Sequence, residues 1–224
     1  MSDRDALLAA VFIRPDDDAP RLVYADWLDE HAEPAQAAFI RAQVELARTN
    51  PNTDAYELIA EPLYVLWDRL LDELGPVAAG AALLMSDFRR GFVDTPIHLQ
   101  VSAFRDGSPR WWPRLPVRAV SIELTSWNVG ELVRVPYLTR LRELVLSGDD
   151  PHGMVIPRLA RCHLLQDLRV LDLSQFGLGV EAAEALASSD AFPRVEELRL
   201  PYSIRPTRGI GRLLRRRYGD VCRF

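Results

Sequence analysis

Lysine is absent from this sequence, and all 27 basic residues are arginine. A phosphate-binding loop of the usual form uses a lysine to reach the phosphates, so that chemistry is excluded at the outset. Arginine usage this complete reads as a GC-rich bacterial genome. Cysteine is nearly missing as well. Cys162 and Cys222 lie far apart in the chain, which argues against a disulfide framework and predicts a reducing, cytoplasmic location. No apolar run approaches the roughly 18 residues of a membrane helix. The longest candidate, from Pro76 to Met85, is short and rich in Ala and Gly, so no membrane association is expected. The opening Met-Ser-Asp-Arg-Asp has no apolar h-region, which predicts a chain without a secretory signal. Of 224 residues, 48% are apolar and 26% charged, which excludes a disordered or collagen-like chain and suits one domain or two small ones.

Catalytic constellations are also missing. The four histidines are His31, His98, His152 and His163, and none stands in a His-Glu-x-x-His helix or beside cysteines at zinc-ligand spacing. Cys162 and His163 are adjacent, so their side chains diverge, and a buried thiol beside a surface imidazole is expected. There is no nucleophile elbow and no dinucleotide glycine motif. Asp26, Asp29 and Glu30 share one side of a helix, and with Asp16, Asp17 and Asp18 they are the nearest approach to a hard-cation site. Their spacing does not match a calcium loop, and Asp18 is placed to cap a helix. The sequence therefore predicts no enzyme, no cofactor, no metal and no catalytic residue.

What is present falls into two patterns. The first 48 residues read as three short helices. Ser2 and Asp5 form a capping box ahead of Ala6, Leu7, Ala10 and Val11, and Pro15 ends that helix. Asp18 and Pro20 start a second, Arg21 to His31, with Leu22, Ala25 and Leu28 on its apolar stripe and Tyr24 and Trp27 as flanking packing anchors. After Pro34 a third carries Phe39, Ile40, Val44 and Leu46. The turn cluster at 50–54 precedes a longer helix, Tyr56 to Leu74, closed by Gly75-Pro76.

The second half repeats. Leu141, Leu144 and Leu146, then Leu168, Leu171 and Leu173, then Val195, Leu198 and Leu200 match leucine-x-x-leucine-x-leucine, with a degenerate copy at Val117, Val120 and Ile122. The steps between copies are 24, 27 and 27 residues, the period of leucine-rich repeats with one strand and one helix or turn per unit. Gly179 to Ala187 supplies a good helix between the last two strands.

The run Pro15-Asp16-Asp17-Asp18-Ala19-Pro20-Arg21-Leu22-Val23-Tyr24-Ala25-Asp26-Trp27-Leu28-Asp29-Glu30 resembles the bacterial repeat-companion domain, a short N-terminal module joined to repeat arrays, often leucine-rich ones. Phe39 to Leu46 is similar to its third segment, and Phe88 to Val93 and Arg216 to Phe224 are similar to members of that family. The resemblance implies architecture rather than an activity. It also implies an asparagine where the third repeat has Phe176.

Together these patterns predict an α/β chain: a repeat-companion-like helical module over 1–48, a helical connector over 53–90, a short leucine-rich-repeat solenoid over 91–204 and a C-terminal cap over 205–224. Residues 1–100 hold 18 acidic residues and 8 arginines, and residues 101–224 hold 14 and 19. This asymmetry reads as a solvated acidic helical region beside an arginine-rich repeat region. On the concave sheet face the residues between and after the leucines point outward: Ser121 and Glu123, Val145 and Ser147, Asp172 and Ser174, Arg199 and Pro201. Most are small or singly charged, which predicts recognition of another protein rather than catalysis, with Asp172 and Arg199 expected to be exposed. The alternative is nucleic-acid binding through the tail, where 205–224 hold seven arginines and one aspartate. Ile210, Leu213, Leu214 and Tyr218 repeat at three and four, as an amphipathic cap requires.

Overall fold

The computed structural model describes residues 2–14, 16–75, 83–115, 117–150, 153–204 and 209–224, without the side chains of 110 and 111. Pro15, Pro76 and His152 lie outside the described residues, as do positions 205–208 of the arginine-rich tail. The protein is mixed α/β and divides into two compact units. One comprises Met1–Ala79, Leu83–Asp94 and Pro113–Pro116, and the other Gly80–Ala82, Thr95–Trp112 and Val117–Phe224.

The first unit is built from α1 (Asp3–Ile13), α2 (Ala19–Glu30), α3 (Pro34–Arg48) and α4 (Asp54–Leu74), followed by a hairpin of β1 (Phe88–Arg89) and β2 (Phe92–Val93). Helix α1 starts at the expected capping box: the Asp5 amide donates to Ser2 Oγ and the Ser2 amide donates to Asp5 Oδ2, both at 3.2 Å. Its buried face is Leu8 and Val11, so Val11 of the suggested stripe is buried and Leu8 takes the place of Leu7. Asp18 does precede α2, but its side chain caps nothing. Asp17 Oδ1 takes the Ala19 amide instead (3.0 Å), and Asp18 is drawn to the guanidinium of Arg48 (2.7 Å). Two charges attract more strongly than a carboxylate and a neutral amide. Pro34 opens α3 in its first turn, where a missing amide hydrogen costs nothing. The next two amides, of Ala35 and Gln36, donate to the two carboxylate oxygens of Glu73 on α4 (3.0 and 3.2 Å).

The core of this unit gathers Leu8, Val11, Tyr24, Ala25, Leu28, Ala37, Ile40, Val44 and Phe92. Phe88 stands edge-on to Phe39 and Trp67 at 5.6 and 5.3 Å. Of residues 53–90, expected as a helical connector, the described 53–75 and 83–90 group with this unit, and 88–89 form a hairpin strand rather than helix. The hairpin turns on Arg90 and Gly91, both at positive φ (52° and 83°), as a tight two-residue turn demands.

The second unit alternates strands with short helices: β3 (Ile97–Leu99), α5 (Val101–Trp111), β4 (Ala119–Glu123), α6 (Val129–Leu132), β5 (Glu143–Gly148), α7 (Val155–Leu159), β6 (Val170–Phe176), α8 (Val180–Ala187), β7 (Glu197–Arg199), α9 (Gly209–Tyr218) and β8 (Cys222–Arg223). The strands form one parallel sheet in sequence order, β3 to β8. Register puts one apolar residue of each strand in a single row: Ile97, Val120, Leu144, Leu171, Leu198 and Cys222. All six are buried. The middle leucine of every repeat copy is thus a rung of one core. Two strands were not anticipated. β3 precedes the degenerate copy, and β8 follows the terminal helix and pairs with β7 at the end of the sheet. Leu214 of α9 is buried, and the Tyr218 hydroxyl donates to the Leu186 carbonyl of α8 (2.9 Å).

Candidate recognition surface

A strand that buries every second residue must turn the others to its opposite face. Here that face carries a row parallel to the core row: His98, Ser121, Val145, Asp172, Arg199 and Arg223. Ser121, Val145 and Arg199 are half-buried, while His98 and Arg223 at the ends are exposed. On one side runs the row Ala119, Glu143, Val170 and Glu197. On the other runs Glu123, Ser147 and Gln175.

One expectation needs correction, and one detail of register is new. Ser174 is exposed as expected, yet Gln175 stands opposite Ser147 because the register shifts between Val145 and Ser147. The cause is local: Asp172 Oδ1 accepts the Ser174 amide (2.8 Å), curling the strand as a bulge does. Asp172 itself is not an exposed charge, having only 8% of its surface accessible.

Arg199 organises the surface. Its Nε and one terminal nitrogen grip both oxygens of Glu197 (3.0 and 3.1 Å), and its other terminal nitrogen reaches Glu143 (3.0 Å) and Asp172 (3.2 Å). Those carboxylates come from three different strands, so the guanidinium ties β5, β6 and β7 together across the face. The bidentate bond holds the Glu197 carboxyl below its ordinary range and pushes the Arg199 guanidinium further up. Three carboxylates around one cation leave the patch acidic. Upstream of the strands, burial together with the charges of Arg142 and Arg169 pulls Arg118 down to about 10.

The sequence reading missed Glu143, Glu197, His98 and Arg223. Glu143 and Glu197 were visible in one respect: each stands immediately before the central leucine of its copy, as Val170 does in the copy between them. His98 and Arg223 belong to strands of three and two residues, too short to carry a repeat signature.

The other candidates are accounted for within the fold. Arg41 bridges Asp26 and Asp29 at 2.7 Å each, and Arg14 pairs with Asp17 at 3.0 Å. Among the described residues no group of three or more His, Cys, Asp or Glu converges as a metal site. Trp27 is half-buried, stacked on Tyr24 and His31 (6.0 and 3.8 Å) with Arg4 over its ring at 5.0 Å. Cys162 is buried and His163 exposed. Burial pushes the thiols of Cys162 and Cys222 up, away from the reactive thiolate. No helix among the described residues is long and apolar enough to cross a membrane. Compared with known proteins, the chain matches no family model, no curated protein and no solved structure.

Proposed function

We propose that the protein is a non-enzymatic recognition module, an adaptor or regulator in a bacterial cytoplasm, that binds another protein through the open face of a short leucine-rich-repeat solenoid. The first unit is read as a repeat-companion module and the terminal helix with β8 as the cap. The observation that carries this reading is the in-register row Ser121, Val145, Asp172 and Arg199, flanked by Glu143 and Glu197. Every strand adds one side chain to a continuous surface, which is how an extended partner is read along its length. Glu143, Asp172 and Glu197 are engaged by Arg199, which supports complementarity to a partner rather than acid–base chemistry.

Asp172 serves the fold through Ser174, so the test uses its neighbours. Ser121→Arg with Val145→Arg should abolish stoichiometric capture of a native partner while the melting temperature changes little, because both positions are half-buried on the outer face. Undiminished capture would overturn the site.

The exposed arginines 212, 215, 216 and 217 of α9 keep nucleic acid as the second reading. Arg215 is 3.9 Å from Asp220, and Arg217 lies over Tyr218 at 5.3 Å. Duplex binding that falls about tenfold or more between about 50 and 200 mM salt would favour that reading.

A further inference from the structure

Between α5, α6 and the turn at Pro136–Arg140, the second unit has a pocket of about 240 Å³ lined by Arg105, Ser108, Pro109, Glu131, Arg134, Val135, Pro136 and Tyr137. We infer that this pocket binds a small carboxylate with a single-ring or short branched apolar body. Three features specify the ligand.

The first is an unsatisfied interior. Ser108 is fully buried, and its hydroxyl has no hydrogen-bond partner. A buried hydroxyl left unbonded costs stability that a ligand atom can recover. Pro109 lies inside α5 and has no amide hydrogen, so the carbonyl of Arg105, one turn earlier, receives no helical bond from it. The polar group at this pocket that a ligand can bond is therefore the Ser108 hydroxyl.

The second is shape. The walls come from Pro109, Val135, Pro136 and Tyr137, and the Tyr137 ring is held by stacking on Trp112 at 5.5 Å. The volume lies below the span of about 300–1,000 Å³ that suits drug-sized ligands, so one ring or a short branch fills it.

The third is charge. Arg105 is taken up by two carboxylates, Asp106 (2.7 Å) and Glu131. Arg134 is exposed and has no carboxylate within 4.0 Å among the described residues. One unpaired guanidinium beside an apolar pocket selects an anion, and its planar fork favours a carboxylate.

Benzoate is the probe. Titrated into the full chain and followed by protein-observed NMR, it should saturate at one site with a Kd of about 0.1–1 mM, as its few atoms allow. Benzyl alcohol and benzylamine should bind about tenfold or more weakly. Arg134→Ala should erase the preference for benzoate over benzyl alcohol without altering the melt. Ser108→Ala should weaken both about threefold to tenfold while melting at or above the wild-type temperature, because it removes an unbonded hydroxyl. No saturation by about 10 mM, equal binding of benzoate and benzylamine, or an Arg134→Ala variant that keeps its preference would each overturn the inference.

Discussion

The two units hold themselves together by different means. In the first, buried polar atoms without a hydrogen bond recur: Arg4 Nε, Asp18 Oδ1, Arg21 Nε, the Tyr24 hydroxyl, Glu33 Oε2, Gln36 Oε1 and Arg90 Nε. Among the described residues of the second there is only Ser108 Oγ. Long charged side chains cross between the helices of the first unit. Glu33 pairs with Arg4 and, at 3.5 Å, with Arg114, and buried Arg21 donates to the Asp17 carbonyl (2.9 Å). Desolvation lowers the Arg21 guanidinium. In the second unit the backbone ladder satisfies its own polar groups. The Arg118 carbonyl takes the amides of both Arg142 and Glu143, and the Arg142 carbonyl takes those of Arg169 and Val170. Charge fixes geometry in one unit, and repetition fixes it in the other.

The largest test of that contrast is steric. Gly91 (φ +83°) abuts α3 in the first unit, where an added Cβ would lie 2.5 Å from Ile40 Cγ1 and 2.6 Å from Ile40 Cα. Gly148 (φ +115°) abuts the ladder in the second, where a Cβ would lie 2.5 Å from the Leu124 carbonyl oxygen. The Leu124 amide is already bonded to Ser147 (2.8 Å), so the ladder has little room to give. Gly148→Ala should cost about 3–5 kcal/mol and Gly91→Ala about 2–3 kcal/mol, from backbone strain plus overpacking. Urea midpoints would measure both. Equal losses would mean that the ladder is no stiffer than the helical packing.

A smaller contrast lies in two tyrosines, both pushed up to about 12 by burial. The buried Tyr24 hydroxyl makes no well-formed hydrogen bond, although the Arg4 guanidinium lies beside it, whereas Tyr218 donates to Leu186. Tyr218→Phe should cost about 0.5–1.5 kcal/mol, and Tyr24→Phe should be neutral or stabilising by up to about 1 kcal/mol. The pH sign follows from the raised value. Unfolded tyrosine ionises near pH 10 while folded Tyr24 keeps its proton to about 12. Its contribution is therefore complete below about pH 10 and is lost, at up to about 1.4 kcal/mol per pH unit, on the way to 12. Tyr24→Phe should flatten that alkaline decline. An unchanged decline would show that other groups cause it.

Periodicity made the repeat strands legible, because burial of alternate residues leaves leucines at fixed offsets. It placed Ser121, Val145 and Arg199 correctly on one row. Ser174 is exposed as expected, but the register beside it is not legible, because a side chain competing for a backbone amide shifts it and no spacing records that competition. Periodicity failed at β3 and β8 for want of length. In the first unit the capping box and the proline helix starts were readable because they depend on neighbours in sequence. The partners of Asp18 were not, since Arg48 is 30 residues away and is brought close only by folding. The exposure expected for Asp172 failed for the same reason: Arg199, which shelters it, belongs to the next strand.

The smallest effect concerns Glu197. Arg199 lowers its carboxyl, so the folded state holds the charged form more strongly than the unfolded chain does. The stability this supplies is complete above the unfolded value of about 4.3 and is lost as pH falls through the lowered folded value. Glu197 is half-buried at the sheet surface, and a pair still open to water contributes about 0.2–1 kcal/mol. Glu197→Gln should therefore match the wild type near pH 3 and fall slightly below it near pH 6, with the gap narrowing at high salt. The Arg41 bridge to Asp26 and Asp29 in the first unit gives the matching comparison, since it too is a surface guanidinium shared between carboxylates. Removing it with Arg41→Ala should cost no more than the Glu197 variant does. If the Glu197 variant instead loses several kcal/mol at pH 6, the Arg199 cluster is a structural clamp on the sheet, and the outer face is less open to a partner than proposed.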